Sequence, residues 1–204
     1  TEAKEDDRGQ NVGLAQDPQT EEGLARLWRK VRESRSIEIV DFAPYSPSGG
    51  DQAAFVGGPL FDEAGKPVAM VAFQLPHDKI QEIVGDRSGM GKTGESYLIA
   101  ADAESPTGLE FRSNMTTMGD GDYVLGAKAP HTPYIDAVMQ EGERVQSLFP
   151  DSSGALVLVC ASPLGIEGLE WGCFSKMDAE EAFVPTLEGE QEDFLTKYTD
   201  EYGY

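Results

Sequence analysis

The chain has 204 residues and a mass of 22.1 kDa, which is enough for one ordinary domain or two small ones. Hydrophobic residues make up 39% and charged residues 26%, which excludes a disordered tail and a fibrous repeat. Sixteen Lys and Arg stand against 37 Asp and Glu, so the net charge is −21. Such a surface repels phosphate backbones and anionic lipids, and we expect neither nucleic-acid binding nor a basic membrane-docking face.

The chain is expected to be a piece of a longer protein. It begins with Thr1 rather than a methionine, and it ends at Tyr204 in the middle of a sequence pattern. No run approaches the roughly 20 apolar residues that span a bilayer, and no signal peptide opens the sequence. Two cysteines are too few for a disulfide scaffold.

The first elements predicted are a polar arm and an amphipathic helix. Residues 1–20 lack any apolar period, and Thr20 then offers an N-cap, with Glu21 and Glu22 in the first turn. One helical face carries Leu24, Leu27, Trp28 and Val31.

A strand and a hairpin follow. From Ile37 the period changes to two, with Ile39 and Asp41 on one side of the strand and Glu38 and Val40 on the other. The apolar runs 53–61 and 67–75 predict a hairpin, in which Gly65 provides the positive φ of the turn.

The second half opens with a short helix and a glycine-rich connector. Pro76 fits the first turn of a helix whose apolar positions are Ile80, Ile83 and Val84. The connector 85–94 then leads into a strand at 95–101, and a polar loop continues to Phe111.

The last predicted elements are a helix, a second hairpin and a C-terminal helix. Thr132 and Pro133 start a helix, runs 155–162 and 169–176 form the hairpin, and Asp178 with Glu181 make a capping box. A further helical stripe in the acidic tail consists of Phe194, Leu195 and Tyr198. This order favours an α+β fold of antiparallel sheets flanked by helices over βαβ units.

Two glycine- or aspartate-rich segments suggest ligand loops but fit poorly. The loop 87–94 resembles a phosphate-binding loop, yet Asp86 stands where the first glycine belongs, and the loop leads from helix to strand instead of strand to helix. The segment Asp120-Gly121-Asp122 lacks the glycine and the terminal glutamate of a calcium loop. We interpret the first as a flexible joint and the second as a surface turn.

The histidines and cysteines indicate no catalytic or metal site. His77 and His131 have no partner at metal-ligand spacing and are interpreted as solvated residues at helix ends. Cys160 and Cys173 lie in the two arms of the second hairpin, which leaves open a cross-strand disulfide or two buried free thiols. We therefore predict no enzyme activity, no metal and no cofactor.

Polar residues inside apolar strands are the more informative signal. Gln74 ends the run 68–73, Tyr97 lies within the strand 95–101, and Arg112 and Ser113 follow Phe111. A buried Arg112 would need a carboxylate from the protein or from a ligand, whereas an arginine at a strand end is otherwise solvated.

At these residues the sequence resembles the extracytoplasmic Cache (PAS-like) sensor regions of bacterial methyl-accepting chemotaxis receptors and related sensor proteins. The resemblance covers about residues 37–185. The segments that carry it are VDFAPYSPS (40–48), AAFV (53–56), VAFQL (71–75), GMGKTGESYLI (89–99), FRS (111–113), Trp171 and DAEEAF (178–183).

The resemblance implies a division into four parts. These are a polar arm (1–20), a helix with a three-strand half of a membrane-distal module (21–90), a membrane-proximal module (91–185) and an acidic helical tail (186–204). The early strands of the distal module would precede residue 1, and the tail resembles the lead-in to another such module, as in a tandem array.

The function implied is that of a periplasmic sensory domain of an inner-membrane receptor, which binds a small carboxylate, amino acid or amine. Such a domain passes a conformational signal across the membrane, and a homodimer is expected. The predicted ligand contacts are Tyr97, Arg112 and Ser113 in the proximal module, with Tyr45, Phe55 and Gln74 in the distal one. Gln74 replaces the aspartate that grips the ligand amine in many amino-acid-binding relatives. The alternative is a structural spacer or dimerisation module without a ligand.

Overall fold

The computed structural model describes residues 22–101, 108–117 and 123–183. These residues form two compact units, and the chain passes from the first to the second between Lys79 and Ile80. Residues 166–169 group with the first unit. Every helix in the described part of the chain is too short or too polar to span a bilayer.

The first unit is a helix packed on a three-stranded antiparallel sheet. Helix α1 (Gly23–Ser34) covers strands β1 (Glu38–Pro44), β2 (Gln52–Phe61) and β3 (Pro67–Leu75), which lie in the order β1-β2-β3. The predicted hairpin is confirmed, and Gly65 adopts a φ of 75° in its turn. The buried core consists of Leu27, Val31, Val40, Tyr45, Ala53 and Phe55.

Two details of the first unit differ from the prediction. The N-cap of α1 is Glu22, whose carboxylate binds the backbone and hydroxyl of Ser46, whereas Thr20 lies outside the described residues. In β1 the buried residues are Val40 and Phe42, and Ile37 is 75% exposed just before the strand. The strand therefore begins one residue later than predicted, and its buried side is that of Val40, with a bulge between Val40 and Ala43.

The short helix predicted after Pro76 exists as α2 (His77–Val84), but none of its residues is buried. Ile83 is one of the most exposed apolar side chains of the described residues. The apolar positions Ile80, Ile83 and Val84 were therefore correctly placed on a helix, and this helix leaves Ile83 at the surface.

The second unit is a five-stranded antiparallel sheet with helices beside it. The strand order is β5-β4-β8-β7-β6, so β8 lies at the centre, and the α+β fold class is confirmed. The elements in chain order are β4 (Glu95–Ala101), β5 (Leu109–Phe111), α3 (Pro133–Met139), β6 (Val145–Pro150), β7 (Leu156–Leu164), β8 (Trp171–Asp178) and α4 (Ala179–Phe183).

The sequence prediction missed β5 and β6 and identified the other elements. Thr132 caps α3 as predicted, because its hydroxyl accepts a hydrogen bond from the Ile135 amide. The predicted capping box at Asp178 and Glu181 is wrong. The Asp178 amide donates to the Thr93 hydroxyl, and the Glu181 carboxylate binds residues 92 and 93.

One face of the five-stranded sheet packs against α3 and forms the core of the second unit. Phe174 of β8 is fully buried, and Tyr97 of β4 stacks on it with ring centroids 5.4 Å apart. Tyr134, Ile135 and Val138 of α3 close the face from the other side. We call this surface the inner face of the sheet.

The cysteines are free thiols, and the disulfide alternative is wrong. Cys160 pairs with Ser175 across the hairpin, whereas Cys173 pairs with Ser162, so the register does not place the two sulfurs opposite each other. Cys160 is exposed rather than buried, because it points away from the inner face to which Val159 and Ala161 belong.

Three predictions fall outside the described residues. They are the polar arm 1–20, the turn Asp120-Gly121-Asp122, and the helical stripe of Phe194, Leu195 and Tyr198.

Candidate functional site

Polar side chains occupy one end of the otherwise apolar inner face. Glu95 has the same orientation as Tyr97 on β4, and Lys176 the same as Phe174 on β8, because side chains alternate along a strand. The register places Glu95 directly opposite Lys176. Lys176 contacts Asp151, and Tyr97, on the same side of β4 as Glu95, contacts Tyr134. We call these five residues the polar row: Glu95, Tyr97, Tyr134, Asp151 and Lys176.

Glu95 is a carboxylate almost completely removed from water, with 1% of the residue exposed. It accepts hydrogen bonds from the amides of Thr116 (2.8 Å) and Thr117 (3.1 Å), and from the Thr117 hydroxyl. Charge-assisted bonds of this kind offset the desolvation of a buried carboxylate. Glu95 therefore fastens the segment after β5 to the first residue of β4.

Lys176 and Asp151 form a buried ion pair. Lys176 is 7% exposed, and its ammonium nitrogen lies 3.4 Å from a carboxylate oxygen of Asp151. That carboxylate also accepts from the amides of Ser153 (2.8 Å) and Ala155 (3.1 Å), and from the Ser153 hydroxyl (2.6 Å). Burial raises the pKa of Asp151, but the Ser153 bonds, the Lys176 charge and the Ala155 amide together hold the pKa below its ordinary value.

The polar row also contains two tyrosine hydroxyls that can donate hydrogen bonds. The hydroxyls of Tyr97 and Tyr134 lie 3.3 Å apart, and both residues are buried. Each hydroxyl brings one hydrogen, and the bond between the two uses only one of them. The pKa of Tyr97 is raised well above its ordinary value, mainly by burial. The neighbouring Tyr134 and the charges of Glu95 and Asp151 raise it further, so the Tyr97 hydroxyl remains protonated.

Lys176 provides further hydrogen-bond donors. An ammonium group carries three N–H donors, and Asp151 is the acceptor of the one long hydrogen bond described for it. An acceptor oxygen, such as that of a carboxylate group, is the complement of these donors.

The other two predicted proximal residues, Arg112 and Ser113, have partners within the protein. Arg112 is buried, so the solvated alternative is wrong, and its guanidinium lies 3.1 Å from the Glu110 carboxylate. Leu109 and Phe111 of the same strand pack in the core, which places Glu110 on the opposite side from the inner face. Ser113 accepts a hydrogen bond from the Leu98 amide at 2.8 Å and extends the pairing of β5 with β4.

The predicted distal residues are divided between core and surface. Tyr45 and Phe55 are buried and meet edge to face, with ring centroids 5.0 Å apart, beside α1. Gln74 lies opposite Phe55 on β3 but is exposed. The structure therefore brings Tyr45 and Phe55 together, and their predicted role as ligand contacts stays a prediction.

The histidines differ from each other. His131 is an exposed residue that pairs with Asp136, as expected for a helix end. His77 is not solvated as predicted, because its Nε2 is buried without a hydrogen-bond partner and its ring lies against Phe42. Burial lowers the pKa of His77 and the charge of Asp78 opposes this shift. Among the described residues, no three His, Cys, Asp or Glu side chains are grouped as metal ligands.

No family model matches the chain, and no curated protein matches its sequence. Solved structures do match. The ligand-binding domain of the Pseudomonas aeruginosa PAO1 amino acid chemoreceptor PctB, in complex with L-Arg, has a TM-score of 0.51 and 16% identity over 90% of this chain. The predicted Cache-type fold is confirmed.

Two further sensor domains have the same fold. The periplasmic sensory domain of the Campylobacter jejuni chemoreceptor Tlp1 gives a TM-score of 0.54 at 16% identity over 75% of this chain. The extracellular domain of the putative histidine kinase mmHK1S-Z2 gives 0.53 at 13% identity, also over 75%. The chain spans 63% of the PctB domain, 53% of the Tlp1 domain and 54% of the kinase domain.

Sequence reasoning found Tyr97 and missed the rest of the polar row. The alternation of side chains along a strand could have identified two of them. Glu95 lies two residues from the aromatic Tyr97 and Lys176 two residues from Phe174, so each points to the same buried side of its strand. Asp151 and Tyr134 meet this end of the sheet only through tertiary packing.

We expect Lys176→Met to lower the free energy of unfolding by about 3 kcal/mol, because it leaves the buried Asp151 carboxylate without its cation. Urea denaturation followed by tryptophan fluorescence measures this loss. Lys128→Met, at an exposed lysine of the same unit, is the matched control and should change stability by less than about 0.5 kcal/mol. Equal effects of the two variants would contradict the buried pair.

The depressed pKa of Asp151 predicts a pH dependence of stability. Its stabilising contribution is complete above the unfolded pKa of about 3.9 and is lost as the pH falls through the lower folded value. The stability difference between the wild type and Asp151→Asn should therefore shrink between pH 5 and pH 3, measured by urea denaturation. A difference that grows on acidification would contradict this assignment.

Proposed function

We propose that this chain is a periplasmic sensory region of a membrane-anchored signalling receptor, and that its second unit binds a small ligand at the polar row. The observation that carries the proposal is the buried set of charged and hydroxyl groups on the inner face of a Cache-type sheet. The fold shared with chemoreceptor and kinase sensor domains supports the sensory role. We assign no catalytic step to the chain.

The ligand proposed is a small molecule with a carboxylate group, which includes amino acids. Lys176 and the Tyr97–Tyr134 pair supply the donors for that carboxylate, while the charge of Glu95 is already satisfied by three hydrogen bonds. Arg112 and Ser113 have partners within the protein, and we propose that they support β5 and β4 instead of contacting the ligand.

The ligand proposal is tested by thermal-shift screening with small carboxylates, amino acids, amines and calcium, followed by calorimetry. A true ligand raises the melting temperature as its concentration rises. For a carboxylate ligand, Tyr97→Phe and Tyr134→Phe should each weaken binding. The larger loss, about tenfold, should come from the tyrosine whose remaining hydroxyl hydrogen donates to the charged group.

Tyr123→Phe is the matched control for this test, because Tyr123 packs on Phe111 in the same core without a described contact to the polar row. Its affinity should equal that of the wild type. Equal weakening in all three variants, or none in any, would contradict binding at the polar row.

A second candidate function, a spacer or dimerisation module, is favoured by the surface of the first unit. Within the described residues β3 is an edge strand, and it carries exposed Val68, Val71 and Phe73, the last 66% exposed. An apolar edge strand offers unpaired backbone groups to a second copy of the same strand.

We expect Phe73→Glu to shift a dimer towards monomer, as measured by size-exclusion chromatography with light scattering, because charges at a strand edge block pairing. Ile83→Glu, at another exposed apolar residue on α2, is the control and should leave the mass unchanged. A wild-type chain that is monomeric at every concentration tested would rule out the dimerisation candidate.

A further inference from the structure

The loop 87–94, whose sequence resembles a phosphate-binding loop, binds the carboxylate of a residue of the same chain, Glu181. The amides of Lys92 and Thr93 each donate to the Glu181 carboxylate at 2.7 Å, and the Thr93 hydroxyl donates to it at 2.6 Å. Successive backbone amides that converge on one anion form the type of cradle called a nest. The Glu181 carboxylate from α4 occupies it.

The loop is shaped for this carboxylate. The Arg87 guanidinium donates hydrogen bonds to the carbonyl oxygens of Gly94 (2.7 Å) and Lys92. Because these carbonyl groups point towards Arg87, the amides of the loop point the other way, towards Glu181. Gly91 has a φ of 63°, and a Cβ at this position would collide with the Glu181 carboxylate. A side chain at residue 91 would therefore close the cradle.

These contacts fix where α4 lies. The Thr93 hydroxyl donates to Glu181 and accepts from the Asp178 amide at 3.1 Å, so one side chain fastens both the end of β8 and the helix that follows it. The hydrogen bonds from Thr93 and Lys92, with the Lys92 charge, lower the pKa of Glu181 to about 2 against a smaller opposing effect of burial. The carboxylate is therefore ionised at neutral pH.

The same contacts continue the polar row. Thr93 lies two residues before Glu95, the first residue of β4. Asp178 ends β8 two residues after Lys176, and Glu95 and Lys176 lie opposite each other. A displacement of β4 against β8 at the polar row is consequently transmitted along β8 to Asp178, and through the single residue Gly94 to Thr93.

We propose that Lys92, Thr93, Asp178 and Glu181 form a latch, in which a carboxylate-binding nest holds α4 and releases it when the ends of β4 and β8 shift. This inference rests on the proposed sensory function and adds its output: ligand binding at the polar row changes the occupancy of the nest. The nest recognises a carboxylate as such, so a free carboxylate of the same size replaces Glu181 when that side chain is removed.

The latch is tested by amide hydrogen exchange on the complete chain without any sensory ligand. Glu181→Ala should lower protection at Lys92, Thr93 and α4 at least tenfold, while protection at Ile99 and Phe174 reports that the core is intact. Sodium formate at 100 mM should restore protection at Lys92 and Thr93, compared with sodium chloride of equal ionic strength. Glu180→Ala, one residue earlier, is the control and should show neither effect.

Unchanged protection in Glu181→Ala, or no recovery with formate, would overturn the latch. If Glu181→Ala loses core protection as well, Glu181→Gln replaces it, since the amide keeps one acceptor oxygen and loses the charge. That variant should show a smaller, selective loss at Lys92 and Thr93, and wild-type protection there would also overturn the latch.

Failure of the latch is distinguishable from failure of the sensory proposal. A ligand that binds at the polar row and changes protection at Lys92 and Thr93 in the wild type supports both. A ligand that binds and leaves that protection unchanged overturns the coupling and preserves ligand binding.

Discussion

The second unit depends on the hydrogen bonds that the buried carboxylate of Glu95 accepts. A charge with 1% exposure is stable inside an apolar sheet only if hydrogen bonds replace its water, and the amides of Thr116 and Thr117 with the Thr117 hydroxyl do so. Removing those donors would leave a cost of several kcal/mol. The segment that follows β5 is therefore fixed to the start of β4 by these hydrogen bonds, in addition to the packing of Met115 in the core.

The same end of the sheet concentrates the polar chemistry of the described residues in this unit. Lys176 lies opposite Glu95, Asp151 reaches it from the end of β6, and the two tyrosine hydroxyls meet beside them. The other end of the inner face is apolar and packed against α3. The inner face thus has an apolar half that forms the core and a polar half that lies beside the residues that hold α4.

Local signals predicted the local structure well. Gly65 identified the first hairpin, and Thr132 with Pro133 identified the start of α3. Strands β5 and β6 were missed because one has three residues and the other carries polar Gln146 and Ser147, so each forms only by pairing with its neighbour.

The site was harder to predict because its partners are distant in sequence. The sequence required a carboxylate for a buried Arg112 but did not identify Glu110 as that partner. Glu181 fitted a local capping box, yet its carboxylate binds amides 88 and 89 residues earlier in the chain. Hydrogen exchange at the Thr116 and Thr117 amides tests the central claim most directly. In Glu95→Ala their protection should collapse to that of an open loop while Phe174 stays protected, and unchanged protection at both threonines would contradict the account.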